Sequence, residues 1–143
     1  MPPLEHLSPA IFDRVFATNA YAPLHLIQHA LPLLQQSGDI STIVNVTSDA
    51  GVEAYPGWGG YGSTKAALEH FSRVLAVELE SPTLRVLVAD PGDMDTQMHR
   101  DAIPDADPAE LRDPADSARA LLHAIAGMRD PFERIRLADV ALA

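Results

Sequence analysis

The sequence has no cysteine, one tryptophan and three tyrosines among its 143 residues. Without cysteine it can form no disulfide and no thiolate nucleophile, so a cytoplasmic location is predicted. No apolar run approaches the roughly 18 residues that a membrane-spanning helix needs. The residues after Met1 also lack the basic and apolar regions of a signal peptide. We therefore expect a protein that neither crosses nor binds a membrane.

Basic residues are scarce as well. Ten of them stand against twenty acidic residues, which gives a formal net charge of -10. This balance argues against a surface for nucleic acid or for an anionic membrane, although a free dinucleotide needs only local positive charge. Lys65 is the only lysine, since the other nine basic residues are arginine. Either its position requires the compact charge of an ammonium group, or it stands on a helix face by chance.

The remaining composition, 47% hydrophobic and 21% charged, is that of a globular chain long enough for one domain, taken as residues 1–143. Hydrophobic periodicity predicts helices over 9–36, 61–80 and 114–128, and strands over 42–46, 84–89 and 135–142. Residues 93–113 are polar and are expected to form an irregular lid. The alternation predicts an α/β fold with a three-stranded parallel sheet and crossover helices.

Tyr61 and Lys65 are four positions apart on a predicted helix, so they should lie one turn apart on the same face. A nearby ammonium group stabilises a phenolate. Lys65 is therefore predicted to lower the pKa of Tyr61 and to make it a general acid or base near neutral pH. The spacing arises often by chance, and an exposed helix pair is the alternative interpretation.

Two further groups of residues follow the carboxyl ends of predicted strands, where ligands bind in open α/β sheets. Ser48 follows the first strand, and its hydroxyl can hydrogen-bond a substrate oxygen while Tyr61 transfers a proton. Pro91 and Gly92 follow the second strand in a tight turn that lets backbone approach a ligand, and Thr96 can hydrogen-bond a carboxamide. The alternative is that all of these are ordinary turn residues.

Asn19 stands in the middle of the first predicted helix, and Pro23 follows four positions later. Because proline cannot donate to the Asn19 carbonyl oxygen and clashes with it, the helix is predicted to kink. The freed carbonyl is a candidate water site for a proton relay to Lys65. A plain proline kink is the alternative.

Together these features resemble the short-chain dehydrogenase/reductase family in kind, order and spacing. The resemblance covers residues 10–128. It rests on Thr-Asn19-Ala, on Ile-Val-Asn-Val-Thr-Ser48-Asp-Ala-Gly, on Tyr61-Gly-Ser-Thr-Lys65-Ala-Ala-Leu and on Pro91-Gly92-Asp-Met-Asp-Thr96.

The resemblance implies a Rossmann-like fold and reversible hydride transfer between NAD or NADP and a carbonyl/alcohol pair. Tyr61 would be the general acid/base and Ser48 would orient the substrate oxygen. Lys65 would tune Tyr61 and hold the nicotinamide ribose, and Asn19 would anchor a relay water. Tyr61 and Lys65 would also contact the cofactor, with its nicotinamide lined by Pro91, Gly92 and Thr96. The helices that hold Asn19 and Tyr61 would form a homo-oligomer, typically a dimer.

Members of the family usually begin with a strand, a Thr-Gly-x-x-x-Gly-x-Gly loop and a helix, and this sequence resembles only the C-terminal half. Three hypotheses stay open: an oxidoreductase whose other half is supplied elsewhere or dispensable, a non-catalytic remnant that folds or pairs, and a fragment of a longer gene. Since one edge of the sheet would be bared, we expect the isolated chain to be marginally stable or oligomeric.

Three other patterns receive weaker interpretations. Residues 57–62 spell Gly-x-Gly-x-x-Gly but do not directly follow a strand, which argues against phosphate binding. His25 and His29 have no third ligand nearby, so no metal site is predicted. Four large side chains are expected to form the wall and lid of a pocket for an apolar or ring-bearing substrate: Tyr55, Trp58, Met94 and Met98.

Overall fold

A computed structural model describes residues 2–141. Three parallel strands, β1 (Ser41–Val46), β2 (Leu84–Asp90) and β3 (Phe132–Arg136), form one sheet in the order β1-β2-β3. The helices are α1 (Pro9–Phe16), α2 (Ala22–Gln36), α3 (Gly59–Leu79), α4 (Gln97–Ala102) and α5 (Pro114–Gly127). The predicted α/β fold with a partial Rossmann-like sheet is confirmed.

The central strand β2 is almost wholly buried because helices cover both faces of the sheet. One face carries a cluster of Ile27, Ile43 and Leu84, against which apolar side chains of α2 and α3 pack. The other face carries a second cluster: Leu87, Ala89, Ala120, Met128 and Leu137. β1 lies at one edge of the sheet. The side chain of Ile40, which precedes the strand, is 60% exposed, and that of Val46, at its end, is 48% exposed.

The inward face of α3 is more polar than its periodicity predicts. Ala66 and Val74 fit the predicted apolar side, yet both are exposed. Thr64, Glu69 and Ser72 are buried instead. A pattern that scores only apolar residues misses this face, because buried polar side chains are stabilised by hydrogen-bonding partners.

A π-helical turn, Ala17–Tyr21, separates α1 from α2 and contains Asn19. The N–H of Ala22 donates to the carbonyl of Ala17, five positions earlier. Pro23 follows at once and has no N–H for the Asn19 carbonyl, so the wider turn accommodates the missing donor. The predicted break at Pro23 is therefore a π turn within a continuous helical path.

Two sequence-based ranges were wrong. Residues 93–113 hold the short helix α4 and a 3-10 turn, Pro108–Glu110, rather than irregular chain throughout. The last strand is β3, which is followed by the 3-10 turn Leu137–Asp139, so the predicted strand over 135–142 begins and ends too late. The charged residues of β3 hid its true start, and Leu142 lies outside the described residues. Within residues 2–141, no helix is both long enough and apolar enough to cross a membrane.

Candidate active site

A cavity of about 560 Å³ lies at the carboxyl ends of β1 and β2. This is the edge where open parallel sheets bind ligands, and the volume is typical of small-molecule sites. Chain segments that follow the two strands, together with α3 and α4, form its wall. The sequence-predicted residues on this wall are Ser48, Tyr61, Lys65, Pro91, Gly92 and Thr96.

Ser48 occupies the N-cap of a 3-10 turn, Asp49–Gly51, directly after β1. Its hydroxyl accepts a hydrogen bond from the Ala50 N–H at 3.2 Å and donates to Asp49 Oδ1 at 2.9 Å. Ser48 thus stabilises its own turn and also faces the cavity. The turn role is therefore observed, and the role toward a substrate oxygen stays a prediction.

The pKa of Tyr61 is raised, and the largest cause is burial of its hydroxyl. The Ser48 hydroxyl opposes this shift, while the charges of Asp49 and Asp90 add to it. The prediction that Lys65 lowers the Tyr61 pKa is therefore wrong for this structure.

Lys65 contacts the Tyr61 ring and the end of β1. Its Nζ lies 5.5 Å from the centre of the Tyr61 ring and donates to the Val46 carbonyl at 2.9 Å. Burial lowers the pKa of Lys65, because it disfavours the charged ammonium form. The ammonium group thus lies beside the Tyr61 ring while it is hydrogen-bonded to the end of β1.

Asn19 lies outside this cavity. Its Nδ2 donates to Thr64 Oγ1 at 3.1 Å, and the Thr64 hydroxyl donates to the Tyr61 carbonyl at 2.6 Å. Asn19 lines a second groove of about 470 Å³ between α2 and β1. Of the four predicted catalytic residues, Lys65 alone lines both spaces.

The turn after β2 brings backbone to the cavity. Gly92 has φ of 69°, in the left-handed region that favours glycine, and its N–H donates to Asp90 Oδ1 at 3.0 Å. Thr96 Oγ1 accepts from the N–H of His99 at 3.2 Å and so caps α4. The Thr96 hydroxyl hydrogen can still be donated to a ligand.

Similarity to known proteins covers most of the chain. A family model described as short chain dehydrogenase matches residues 1–107. The chain belongs to the short-chain dehydrogenase family. Its members are oxidoreductases, and the solved structures it resembles include dehydrogenases complexed with NADP and with NADPH.

The chain is 41% identical over 90 residues to benzil reductase ((S)-benzoin forming) of Saccharomyces cerevisiae, and the alignment covers 63% of this chain and 34% of that protein. The benzil reductase of Bacillus subtilis is 35% identical over 101 residues, with 67% of this chain and 42% of that protein aligned. A short chain dehydrogenase of Shigella flexneri complexed with NADP superposes with a TM-score of 0.85 at 30% identity, over 96% of this chain and 57% of that chain. The chain thus spans less than half of the two reductases and a little over half of the solved chain.

Seven polar residues of this cavity were not identified as site residues from the sequence: Thr47, Asp49, Asp90, Asp93, His99, Asp101 and Arg136. Arg136 ends β3, so the parallel topology alone could have placed it there. Trp58, Met94 and Met98 do line the cavity. The expected wall position of Tyr55 is wrong, since its hydroxyl instead donates to Asp49 Oδ2 at 2.7 Å.

The glycine pattern at 57–62 has a packing role in this dehydrogenase. Its last three glycines stand in the first turns of α3, and a Cβ on Gly62 would lie 2.4 Å from the Ala50 carbonyl oxygen. His29 Nδ1 donates to the His25 carbonyl at 2.7 Å, so that pair bonds along its own helix. Among residues 2–141, no group of three or more side chains is arranged to hold a metal ion.

The Gly62→Ala variant is expected to lose about 1–3 kcal/mol in free energy of unfolding, because the new methyl group meets rigid backbone beside Ser48. Urea unfolding measures this loss. Gly127→Ala is the matched control, since it also stands in a helix and a Cβ there meets nothing within 4 Å. Equal midpoints for the two variants would contradict the packing role.

The cavity fits the nicotinamide and ribose end of a dinucleotide better than its phosphates. Lys65 and Thr96 offer donors, and Gly92 offers backbone without a side chain. Within residues 2–141, however, no strand runs through a glycine-rich turn directly into a helix, which is the arrangement that binds pyrophosphate. Among the described residues that line the cavity, the lysine and arginine side chains are those of Lys65 and Arg136.

Proposed function

We propose that this chain carries the catalytic half of an NAD(P)-dependent oxidoreductase that interconverts a carbonyl compound and an alcohol. The observation that supports the proposal is the convergence of Ser48, Tyr61 and Lys65 on one cavity in a short-chain dehydrogenase. Pro91, Gly92 and Thr96 line the same cavity and are proposed to contact the nicotinamide. The lack of cysteine favours a cytoplasmic setting.

Lys65 and Thr96 would hold the nicotinamide end of the cofactor, which in its reduced form would supply the hydride for the carbonyl carbon. The Tyr61 hydroxyl donates its proton to the carbonyl oxygen, which completes the alcohol. The Ser48 hydroxyl orients that oxygen by exchanging its hydrogen bond from Asp49 to the substrate. Because the Tyr61 pKa is raised, the phenol is protonated at neutral pH and is ready for reduction.

The proton that Tyr61 gives up must be replaced from solvent. Lys65 lines both the catalytic cavity and the groove that holds Asn19. We assign Lys65 the ribose contact and the first step of proton return, and Asn19 the placement of water beside it. Thr64 stands one turn after Tyr61 on α3, and its hydrogen bond with Asn19 fixes the position of Asn19.

Substrate class is proposed from the wall and the relatives together. Trp58, Met94 and Ile103 supply apolar surface. The carboxylates Asp49, Asp90, Asp93 and Asp101 outnumber the two cations, which disfavours an anionic substrate. A neutral aromatic ketone fits this wall, and benzil is the substrate named for two relatives.

A pairing module without catalysis is the second candidate. Large apolar side chains are exposed on both helices that the resemblance assigns to oligomer formation; on α2 and α3 these are Leu26, Leu33, Val74 and Val77. Exposed apolar surface of this kind favours association. A homo-oligomer that does not turn over ketone is the expected behaviour under this candidate, and the marginal stability of the isolated chain stays a prediction.

The deciding experiment is a fluorescence titration of the 143-residue chain with NADPH and NADH, followed by an assay of cofactor oxidation with benzil. The oxidoreductase proposal expects saturable micromolar binding and oxidation that depends on benzil. Light scattering on the same sample gives the oligomeric state. An oligomer that binds neither cofactor up to millimolar concentration would favour the pairing module instead.

A further inference from the structure

His99 has an unusual environment on α4. Its side chain is only 12% exposed, and neither ring nitrogen has a hydrogen-bond partner within residues 2–141. The nearest carboxylate oxygen, Asp93 Oδ1, is 3.5 Å from Nε2, which is beyond ordinary hydrogen-bond length. A buried polar group left unpaired costs roughly 1–3 kcal/mol. A ligand that hydrogen-bonds the imidazole would therefore remove this cost, since residues 2–141 supply no such partner.

The position of His99 indicates what that partner is. The residue lines the same cavity as Ser48 and Tyr61. Its backbone N–H is held by the Thr96 hydroxyl, so the capped start of α4 fixes where the imidazole enters the wall. A ligand whose reacting oxygen is held by Ser48 and Tyr61 would extend along a wall that includes His99.

The chemistry of the wall singles out the imidazole further. The four aspartates can only accept hydrogen bonds when ionised, Ser48 is assigned to the reacting oxygen, and Lys65 and Thr96 are assigned to the cofactor. Trp58 and Arg136 can only donate, so they cannot accept from a hydroxyl. A neutral imidazole has one N–H and one lone pair, so it can donate to a carbonyl and accept from a hydroxyl. Both abilities suit a ketone that carries a second oxygen on the neighbouring carbon.

We propose that His99 is a specificity-determining residue that hydrogen-bonds the second oxygen of a vicinal diketone or an α-hydroxy ketone. The choice of ligand rests on the proposed function. A site built to hydrogen-bond a substrate oxygen discriminates strongly against the analogue that lacks it, because the buried imidazole is then left unpaired. His99 would thus separate diketones from simple ketones of the same shape.

The test uses Trp58, which is the only tryptophan and lines the cavity, as the fluorescent reporter. The probes are benzil and deoxybenzoin, two diaryl ketones that differ by one carbonyl oxygen. We expect the wild-type chain to bind benzil about ten-fold more tightly than deoxybenzoin, which is the difference in affinity that one net hydrogen bond gives. His99→Phe should abolish this preference and leave deoxybenzoin binding unchanged. His99→Gln keeps a donor and an acceptor and should restore part of the preference.

A purely structural role for His99 gives different results. His99→Phe replaces an unpaired polar ring with an apolar one of similar size, so its Tm should stay level or rise. A fall in Tm that Asp93→Asn reproduces would overturn the proposal, since His99 would then serve to hold its loop. Equal affinity of the unchanged chain for the two ketones, binding of neither, or equal loss of both in His99→Phe would also overturn it.

The binding test needs no cofactor, so its outcome is separate from that of the proposed function. A benzil preference without hydride transfer would support the role of His99 and contradict catalysis by this chain. Reduction of both ketones with equal kcat/KM would support the proposed function and overturn the role of His99.

Discussion

The Tyr61→Phe variant is expected to lose about 10²–10⁴-fold in kcat for ketone reduction, because it removes the proton donor. Phenylalanine keeps the ring, whose centre lies 5.7 Å from that of Trp58 and 5.5 Å from Lys65 Nζ. Binding of cofactor and ketone should therefore change little. Cofactor oxidation at saturating ketone measures kcat, and the Trp58 titration measures binding.

Tyr21→Phe is the matched control for that loss. Tyr21 is 57% exposed and packs its ring near Phe16, so the same hydroxyl is removed far from the cavity. Its kcat should equal that of the unchanged chain. Similar kcat values for the two variants would remove Tyr61 from the proposed mechanism.

The pH profile follows from the same group. Burial first, and then the Asp49 and Asp90 charges, raise the pKa of Tyr61 above its ordinary value of 10.0. Reduction uses the protonated phenol, so its rate should stay constant through neutral pH and fall only as pH rises through that raised pKa. Alcohol oxidation uses the phenolate and should rise over the same interval. A reduction rate that halves near neutral pH would contradict this assignment.

The sequence predicts several residues of the candidate cavity because the relevant rules are local or topological. Helical spacing places Tyr61 beside Lys65, and the carboxyl ends of parallel strands bring Ser48 and Gly92 to one edge. The sign of the Tyr61 pKa shift could not be predicted in this way. It depends first on burial by segments that are distant in the sequence, and then on the charges of Asp49 and Asp90.

Other features depend on tertiary packing that the sequence does not display. Nothing in the pattern distinguishes His99, which is mostly buried, from His25 and His29 on α2. The start of β3 was missed because Glu133 and Arg134 break its apolar run. Arg134 is tolerated there because it pairs with Glu69, a residue on the distant helix α3. A sequence pattern cannot anticipate that compensation.

Glu69 holds the elements behind the catalytic cavity together. Its carboxylate accepts a hydrogen bond from the Thr47 hydroxyl at 2.6 Å and two from the Arg134 guanidinium, at 2.8 and 3.1 Å. The Glu69 side chain is only 9% exposed, and its charge raises the pKa of Arg134. One carboxylate therefore links α3 to β3 and to Thr47, the neighbour of Ser48.

Glu69→Gln is expected to lower the free energy of unfolding by about 3 kcal/mol, since it leaves the Arg134 guanidinium partly buried without its counter-ion. That is a large share of the 5–15 kcal/mol or so that stabilises a typical domain. Glu78→Gln makes the same change at an exposed position of α3, and its urea midpoint should barely move.

The double variant Glu69→Leu with Arg134→Met separates the charge from the packing. Removing both ions leaves no uncompensated charge, so it should be more stable than Glu69→Leu alone. If the two unfold at the same midpoint, the ion pair is not what Glu69 contributes. Recovery in the double variant would instead show that Arg134, left without its partner, is what destabilises the sheet beside Ser48. Thr47, the residue next to Ser48, loses its acceptor in both variants, so the difference between their midpoints reports on Arg134 alone.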